Sequence, residues 1–179
     1  MATLRPGNEN LLFPAHVFRF QVDFAEEPLP PNTGSANAVS VPLCSGAFSE
    51  CAGLEATMEP KTIKEGGKNY GVNHRAGPVT FATVVLKRGM TTTRDLWKWF
   101  ELVAKGAYAY RLSATVTLFG AAPSVDGEPE PLVSWKLERA IPVKFKAADL
   151  NAKGTEVGIE ELHLAHEGMT LVARGGGAA

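Results

Sequence analysis

The sequence has little cysteine, no block of like charges and no long hydrophobic run. Its 2 cysteines in 179 residues exclude a disulfide-rich secreted scaffold and favour a reduced, cytoplasmic setting. The formal net charge of −1 argues against binding nucleic acid or acidic lipid through a basic field. No stretch approaches the ~18 apolar residues of a membrane span, and no signal-peptide pattern is present. We therefore expect assembly in the cytoplasm and no membrane binding by the chain itself.

The residue sets that catalysis or metal binding requires are also missing. His163 and His166 would point to opposite faces of a strand, so they cannot share an ion there. Cys44 and Cys51 lack the spacing of a zinc or redox pair and are interpreted as small structural thiols. Neither a Gly-x-Ser-x-Gly elbow nor a phosphate-cradling glycine loop occurs. We predict no enzymatic activity, no cofactor and no metal.

The sequence does have the composition of one globular domain and the periodicity of strands. Hydrophobic residues make up 45% and charged residues 21% of the chain, which suits a single packed domain over residues 1–179. In residues 16–24, Phe18, Phe20, Val22 and Phe24 alternate with other residues, as in a strand with one buried face. Further strands are predicted near residues 41–50, 54–64, 79–88, 110–119, 131–139, 140–147 and 155–166. Glu160 and Glu161 are interpreted as a bulge in the last strand, not as a catalytic pair.

One helix is predicted over residues 93–105. Thr92 or Thr93 can cap its start, and Gly106 ends it. The helix presents an apolar stripe at i, i+3, i+4 and i+7, which is predicted to be buried and consists of Leu96, Trp99, Phe100 and Val103. Trp97 lies off this stripe and is predicted to be exposed or to contact another subunit.

Residues 65–78 form a long, glycine-rich polar segment between two predicted strands. Loops of this length inside a compact domain are usually functional or mobile. Two interpretations stay open: a hairpin tip without a role, or a docking loop that orders against a neighbouring subunit. The candidate contact residues in this segment are Gly66, Gly67, Tyr70, His74 and Arg75.

Four segments in this order resemble the tail-tube protein family, the inner-tube subunits of contractile phage tails and related injection systems. They are GAFSECAGLEATMEP (46–60), GGKNYGV with RAGP (66–78), LKRGMT with LWKWF (86–100), and AIPVKFKAADLNAKGTEVGIEELHLAHEGM (140–169). The resemblance implies a mainly β fold: two packed antiparallel sheets in a small barrel-like sandwich with one flanking α-helix.

The resemblance also implies a structural role. Subunits of this family close into hexameric rings, and stacked rings make a hollow tube. The implied partners of the tube are a sheath, a baseplate with its spike, and DNA or protein cargo in the channel. The docking loop maps onto residues 65–78 and the helix onto residues 93–105. A released phage tail and a released injection particle both stay possible. The resemblance does not explain residues 28–41 or the flexible tail at 172–179; residues 1–15 are assigned to an N-terminal arm.

A tube wall needs one sheet face on the core and one in water. In residues 54–64, polar residues alternate with Leu54, Ala56 and Met58. These polar residues are predicted to line the channel; they are Glu55, Thr57, Glu59 and Lys61. In residues 112–118 a second set, Ser113, Thr115 and Thr117, has the same pattern and is also predicted to line the channel. The alternative function is a soluble β-sandwich module that binds a ligand or peptide between its loops. The size of the protein in solution distinguishes the two functions, because a binding module would stay small and a tube subunit should form rings or filaments.

Overall fold

The computed structural model describes residues 19–26, 48–123, 129–150, 152–153 and 157–172. The predicted N-terminal arm, Phe18, Cys44, residues 28–41 and nearly all of the predicted tail lie outside this part of the chain. The described elements, in chain order, are β1 (Phe20–Glu26), β2 (Glu50–Ala52), β3 (Ala56–Met58), β4 (Lys61–Ile63), β5 (Asn73–Arg75), β6 (Val79–Phe81), β7 (Val84–Gly89), α1 (Asp95–Ala104), β8 (Leu112–Pro123), β9 (Pro129–Lys146), β10 (Ile159–Ala165) and β11 (Gly168–Val172).

Seven of these strands form one antiparallel sheet in the order β1-β8-β9-β10-β7-β2, with β11 also paired to β9. The long strand β9 belongs to both halves of this sheet. Up to Ala140 it pairs with β8 and β11, and from Ile141 it pairs with β10. At the change of partner, Arg139 has a left-handed φ of 52°, a backbone conformation that is costly for a residue with a side chain. We call β1, β8, the first part of β9 and β11 sheet I, and β2, β7, β10 and the second part of β9 sheet II.

The inner faces of the two sheets and the helix share one core. Sheet I contributes Val22 and Phe24 of β1 and alternate residues of β8, and sheet II contributes alternate residues of β7 and β10. The helix adds Leu96 and Trp99, both fully buried, and the Trp99 ring meets Phe24 edge-on with 5.4 Å between centroids. The fold prediction is therefore confirmed: the described chain is a mainly β sandwich of antiparallel sheets with a flanking helix. Barrel closure does not occur within the described part of one chain.

The helix confirms the predicted stripe in part and does not confirm the predicted cap. Leu96 and Trp99 are buried, Phe100 and Val103 are only half-buried, and Trp97 is 43% exposed. The N-cap is Arg94, in a left-handed conformation and without a side-chain capping bond. The hydroxyl of Thr93 donates to the carboxylate of Asp95 at 3.3 Å. Gly106, with a φ of 125°, ends the helix as predicted.

Several predicted boundaries are wrong. The segment 54–64 is two short strands, 79–88 is β6 and β7, and 131–147 is one strand. The segment 65–78 contains β5, and β11 was not predicted, so the predicted tail begins on its last residue. The Glu160–Glu161 bulge is also absent: Glu160 pairs with Arg88 and Glu161 with Lys87 without a shift, and the irregularity lies between His163 and Leu164 against β9.

Candidate assembly surfaces

The strands β3 to β6 form a two-stranded ribbon (residues 54–82) that pairs only within itself. β3 pairs with β6, and β4 pairs with β5. Between these pairs, Gly77 lies so close to Glu59 that a Cβ atom would stand 1.9 Å from the Glu59 carbonyl oxygen. Every residue of β3 and β4 is exposed. The expected burial of Ala56 and Met58 is therefore wrong for the single chain.

The ribbon carries apolar side chains that nothing in the described chain covers. Met58, Ile63, Val72 and Val79 are each more than 40% exposed, and Tyr70 is 95% exposed. A two-stranded hairpin that buries neither face is at best marginally stable in water. The surface of the ribbon is thus suited to burial against another molecule.

Most of the predicted contact residues lie together near the end of the ribbon. Gly66 and Gly67 form its turn, Tyr70 follows, and His74 and Arg75 lie on β5. A side-chain network supports the tip: Lys68 donates to Asn73 at 2.5 Å, and Asn73 donates to Glu65 at 2.6 Å. Trp97 is on a different element: its ring contacts Phe100 of the helix, with 5.8 Å between centroids, and Phe145 of β9, with 5.3 Å.

The first predicted channel set also lies on the ribbon. Glu55, Thr57, Glu59 and Lys61 are all exposed, and the Thr57 hydroxyl donates to Glu55 at 3.3 Å. Of the opposite parity, Leu54 packs against the core, but Ala56 and Met58 are exposed as well, so alternation does not distinguish a wet face from a packed one along this ribbon.

The outward face of sheet I is rich in hydroxyl groups. On β8, Leu112, Ala114, Val116 and Leu118 are buried, as the alternating pattern predicted. Cross-strand rows place Thr115 and Thr117 beside polar partners, and Ser134 donates to Thr117 at 3.2 Å. Ser113, in contrast, is buried, and its hydroxyl donates to the carbonyl of Ala25 at 3.3 Å. We call this surface the hydroxyl face; it comprises Gln21, Asp23, Thr115, Thr117, Ser134, Lys136 and Thr170.

A buried ionic cluster joins the helix to sheet II. The Arg88 guanidinium bonds both Asp95, at the first turn of the helix, and Glu160 of β10, at 2.8 Å from Nε. All three residues are less than 8% exposed. Burial alone would raise the pKa of Asp95, but the hydrogen bonds and charge of Arg88 outweigh it, and the pKa is lowered. Burial likewise opposes the charge of Arg88, yet its two carboxylate partners raise its pKa.

This cluster was missed in the sequence, although a signal was present. Glu160 shares its parity with the buried Leu162 and Leu164, so a carboxylate on the core side needed a cationic partner. The bulge hypothesis explained the two adjacent glutamates without a buried carboxylate, so no cationic partner for Glu160 was sought and the cluster was not predicted. The arrangement joins the first turn of the helix to β7 and β10 of sheet II.

The remaining reactive side chains are inert or scattered. Burial raises the pKa of the Cys51 thiol to about 11, so the thiol stays protonated and unreactive at neutral pH, in agreement with its structural interpretation. Within the described ranges, no group of three or more His, Cys, Asp and Glu side chains could hold a metal ion. In the same part of the chain, no helix has the length and apolar character of a membrane span.

Comparisons with known proteins agree with this architecture. A family model described as T4-like virus tail tube protein gp19 matches residues 16–170. A chain of the anti-feeding prophage (AFP) baseplate, determined by cryo-EM with 6-fold symmetry, is 25% identical with a TM-score of 0.71, over 90% of this chain and 97% of that one. A chain of the PVC sheath-tube complex, an extracellular contractile injection system in the extended state, is 16% identical with a TM-score of 0.69, over 96% and 99%. None of the curated proteins matches the chain.

Proposed function

Because this chain belongs to the T4-like virus tail tube protein family, and so is a structural protein of phage tails and contractile injection systems, we propose that it closes into hexameric rings that stack into a hollow inner tube. The observation that carries the proposal is sheet I, which ends in two unpaired edges within the described residues, β1 and β11. Unpaired edges expose backbone donors and acceptors and invite pairing with another chain.

The directions of these edge strands support lateral closure. β1 is antiparallel to β8, β8 to β9, and β9 to β11, so β1 and β11 run in opposite directions. When the β11 edge of one copy meets the β1 edge of the next, the new pair is antiparallel. Repeating this seam around an axis joins sheet I of every copy into one barrel and removes the edges. The similar AFP baseplate chain comes from a 6-fold symmetrised assembly, which supports the hexamer.

We propose that the hydroxyl face lines the channel. When sheet I closes into a barrel, its core face is covered by sheet II and the helix. Its outward face is then free to face the channel. Short hydroxyl side chains with a few charges of both signs form a hydrated wall along which a cargo slides without sticking. Glu55, Thr57, Glu59 and Lys61 stay a second proposed lining set; their support is weaker because both faces of the ribbon are exposed.

We propose that the ribbon docks on the adjacent ring. Its contact residues are Gly66, Gly67, Tyr70, His74 and Arg75, within the docking loop 65–78, and Trp97 contacts a neighbouring subunit from the helix. The uncovered apolar side chains of the ribbon and the 95% exposure of Tyr70 support this role, because aromatic side chains are typical interface anchors.

We further propose that the whole chain is one tube domain without enzymatic function, with an N-terminal arm (1–15) and a flexible tail (172–179). Its partners are other copies of itself, a sheath, a baseplate with its spike, and a protein or DNA cargo; it does not bind membranes by itself. Assembly takes place in the cytoplasm before the particle is released. The similarity to chains of a sheath-tube complex and of a baseplate supports the sheath and baseplate partners.

Negative-stain microscopy of the purified chain tests the proposal, together with sedimentation over a range of concentrations. We expect rings and stacked filaments; a monomer under all conditions, including with a baseplate present, would favour the ligand-binding module instead. Cysteine labelling then maps the channel. Cysteines at Thr115 or Thr117, and separately at Glu55 or Glu59, should react with a bulky maleimide in free subunits and be shielded in capped tubes. Full labelling in capped tubes places that set on the outside.

A further inference from the structure

One row of apolar side chains crosses the core side of sheet I and is covered at one edge only. Its four members are Val22 of β1, Val116 of β8, Trp135 of β9 and Leu171 of β11, each paired directly with the next. Directly paired residues of an antiparallel sheet have their side chains on the same face, so the whole row lies on the side of the buried Val22. Exposure rises along the row: 0% at Val22, 3% at Val116, intermediate at Trp135 and 67% at Leu171.

The neighbouring row changes in the same direction. It joins Phe24 of β1 to Met169 of β11 through Ala114 and Leu137. Phe24 is 3% exposed and lies against the Trp99 ring of the helix, whereas Met169 is only partly buried where it packs on the core. Within the described residues, the core of sheet I is therefore covered by the helix at the β1 edge and open at the β11 edge.

The position of Leu171 distinguishes it from an ordinary surface leucine. Single exposed leucines are common on proteins and need no partner. Leu171, in contrast, has core-side parity and lies on an edge strand that pairs only with β9 among the described strands. A side chain in this position is continued into a core only if another strand is added beside β11.

The proposed antiparallel seam between β11 and β1 of the next copy supplies that strand. If the rows of sheet I continue straight across the seam, the 5 residues of β11 lie opposite residues 21–25 of the 7-residue strand β1, and Leu171 lies opposite Val22. Barrel closure requires strands to be staggered, and a shift by two residues keeps each side chain on its face. Such a shift leaves four pairs within β1 and places Leu171 opposite Phe20 or Phe24. Leu171 thus meets a core-side apolar residue in each of these three registers.

We propose that Leu171 of each copy completes the core of the next copy, packing on the core side of β1 beside Phe20, Val22 or Phe24. Adjacent strands lie about 4.8 Å apart, so Leu171 enters a face that the helix of the neighbour already covers. Most of its side chain then passes from water into an apolar core, which stabilises the seam beyond its backbone hydrogen bonds. The contact is head-to-tail, since one edge supplies the side chain and the other supplies the cover, and such contacts can close into rings. This inference rests on the proposed ring assembly.

A polar substitution at Leu171 tests the contact. Leu171→Asn should need at least about tenfold more protein than the wild type for half-maximal ring formation in sedimentation, which corresponds to ~1.4 kcal/mol per seam. Leu171→Met keeps an apolar side chain of similar volume and should assemble within about threefold of the wild-type concentration. Normal ring formation by Leu171→Asn would overturn the inference.

The next residue along β11 provides the matched control. Val172 is also exposed, but it pairs with Ser134 and so has the parity of the hydroxyl face. Val172→Asn should therefore weaken ring formation much less than Leu171→Asn, and equal losses would contradict the core-side contact. Thermal unfolding of the free chains checks folding: both variants should unfold within about 2 °C of the wild type, as expected for exposed positions.

Disulfide crosslinking tests the parity and finds the register. In a Cys44→Ala, Cys51→Ala background, a cysteine at Thr170 is combined with one at Gln21, Asp23 or Ala25, which lie opposite Thr170 in the three registers. Opposed residues have Cα atoms about 4.5–5.5 Å apart, within the span of a disulfide. One combination should give covalent oligomers on a non-reducing gel. A cysteine at Leu171 combined with the same three positions should not, because the side chains point to opposite faces. Crosslinks from Leu171 in place of Thr170 would refute the assignment.

Three other outcomes have separate meanings. If Leu171→Asn forms rings normally but the rings no longer stack, the next ring covers Leu171 and the seam contact is wrong. If the free Leu171→Asn chain unfolds at a clearly lower temperature, Leu171 belongs to the core of its own chain and the inference is also wrong. If the wild-type chain forms no rings, the proposed function itself fails, whereas wild-type rings with normal assembly of Leu171→Asn refute this inference alone.

Discussion

The body of the molecule and the ribbon differ in what holds them in shape. In the body, both sheets and the helix bury alternate side chains in one core, where Val84, Leu86, Leu96 and Trp99 are fully buried. In the ribbon, the strands pair only with each other and leave both faces exposed. Burial of apolar surface stabilises a folded segment. A segment that buries little apolar surface within the single chain therefore needs the surface of another molecule to cover it. The difference separates residues that fold the subunit from residues that assemble it.

The largest effect should come from removing the aromatic centre of the body. Trp99→Ala deletes a fully buried ring and should lower the free energy of unfolding by about 3–5 kcal/mol. Trp97→Ala, on the same helix but 43% exposed, is the matched control and should cost about 1 kcal/mol or less. Urea unfolding of both free chains measures the contrast. In assembled rings the loss at Trp97 should grow; equal losses in free chains would show that the helix stripe is misassigned.

The ionic cluster should be nearly as sensitive. Arg88→Met leaves the carboxylates of Asp95 and Glu160 buried without their cation, which should cost about 3 kcal/mol. Lys87→Met is the control on the same strand. Its partner Glu50 is half exposed, and surface pairs contribute about 0–1 kcal/mol. Similar losses for the two variants in chemical unfolding would show that the cluster is not desolvated.

The same cluster predicts a pH dependence with a definite sign. The pKa of Asp95 is lower in the folded chain than its ordinary value, which is about 3.9 when unfolded. The resulting stabilisation is present above pH ~4 and is lost as pH falls through the folded pKa. Asp95→Asn removes this contribution. Between about pH 5 and pH 2.5, the free energy of unfolding should therefore fall less for the variant than for the wild type. Parallel stability curves for both proteins would refute the assignment.

How much the sequence reveals also differs between the two regions. Alternation predicted the buried faces of β1 and β8, and the 3.6-residue period predicted the helix stripe, because burial leaves a periodic signature. In the ribbon, residues 54–64 have the same alternation without a buried face, since parity does not say whether a partner lies within the chain. The Arg88 cluster joins residues from separate elements: strand register pairs Arg88 with Glu160, and the packing of the helix brings Asp95 to them.

The smallest effect on folding should accompany the largest effect on assembly. Deleting Gly67 to Ala76 removes the tip of the ribbon and β5, which pairs only with β4. Since these residues contribute no buried side chain, the unfolding free energy of the body should change by less than about 1 kcal/mol. Stacking of rings should be abolished, because the proposed contact side chains are gone.

A point substitution can then show how much of the lost stacking is due to the side chain of Tyr70. Tyr70→Ala should weaken stacking strongly, whereas Tyr108→Ala, which removes another exposed tyrosine outside the ribbon, should leave tube length unchanged. Tube length in micrographs is the measurement, with ring formation as the internal control. Tubes of normal length from the deletion variant would show that the ribbon does not dock. Loss of rings as well as stacks would mean that it also supports the lateral seam. The expected pattern is intact folding, intact rings and no stacks, because the edge strands of the body would then close each ring and the ribbon would join one ring to the next.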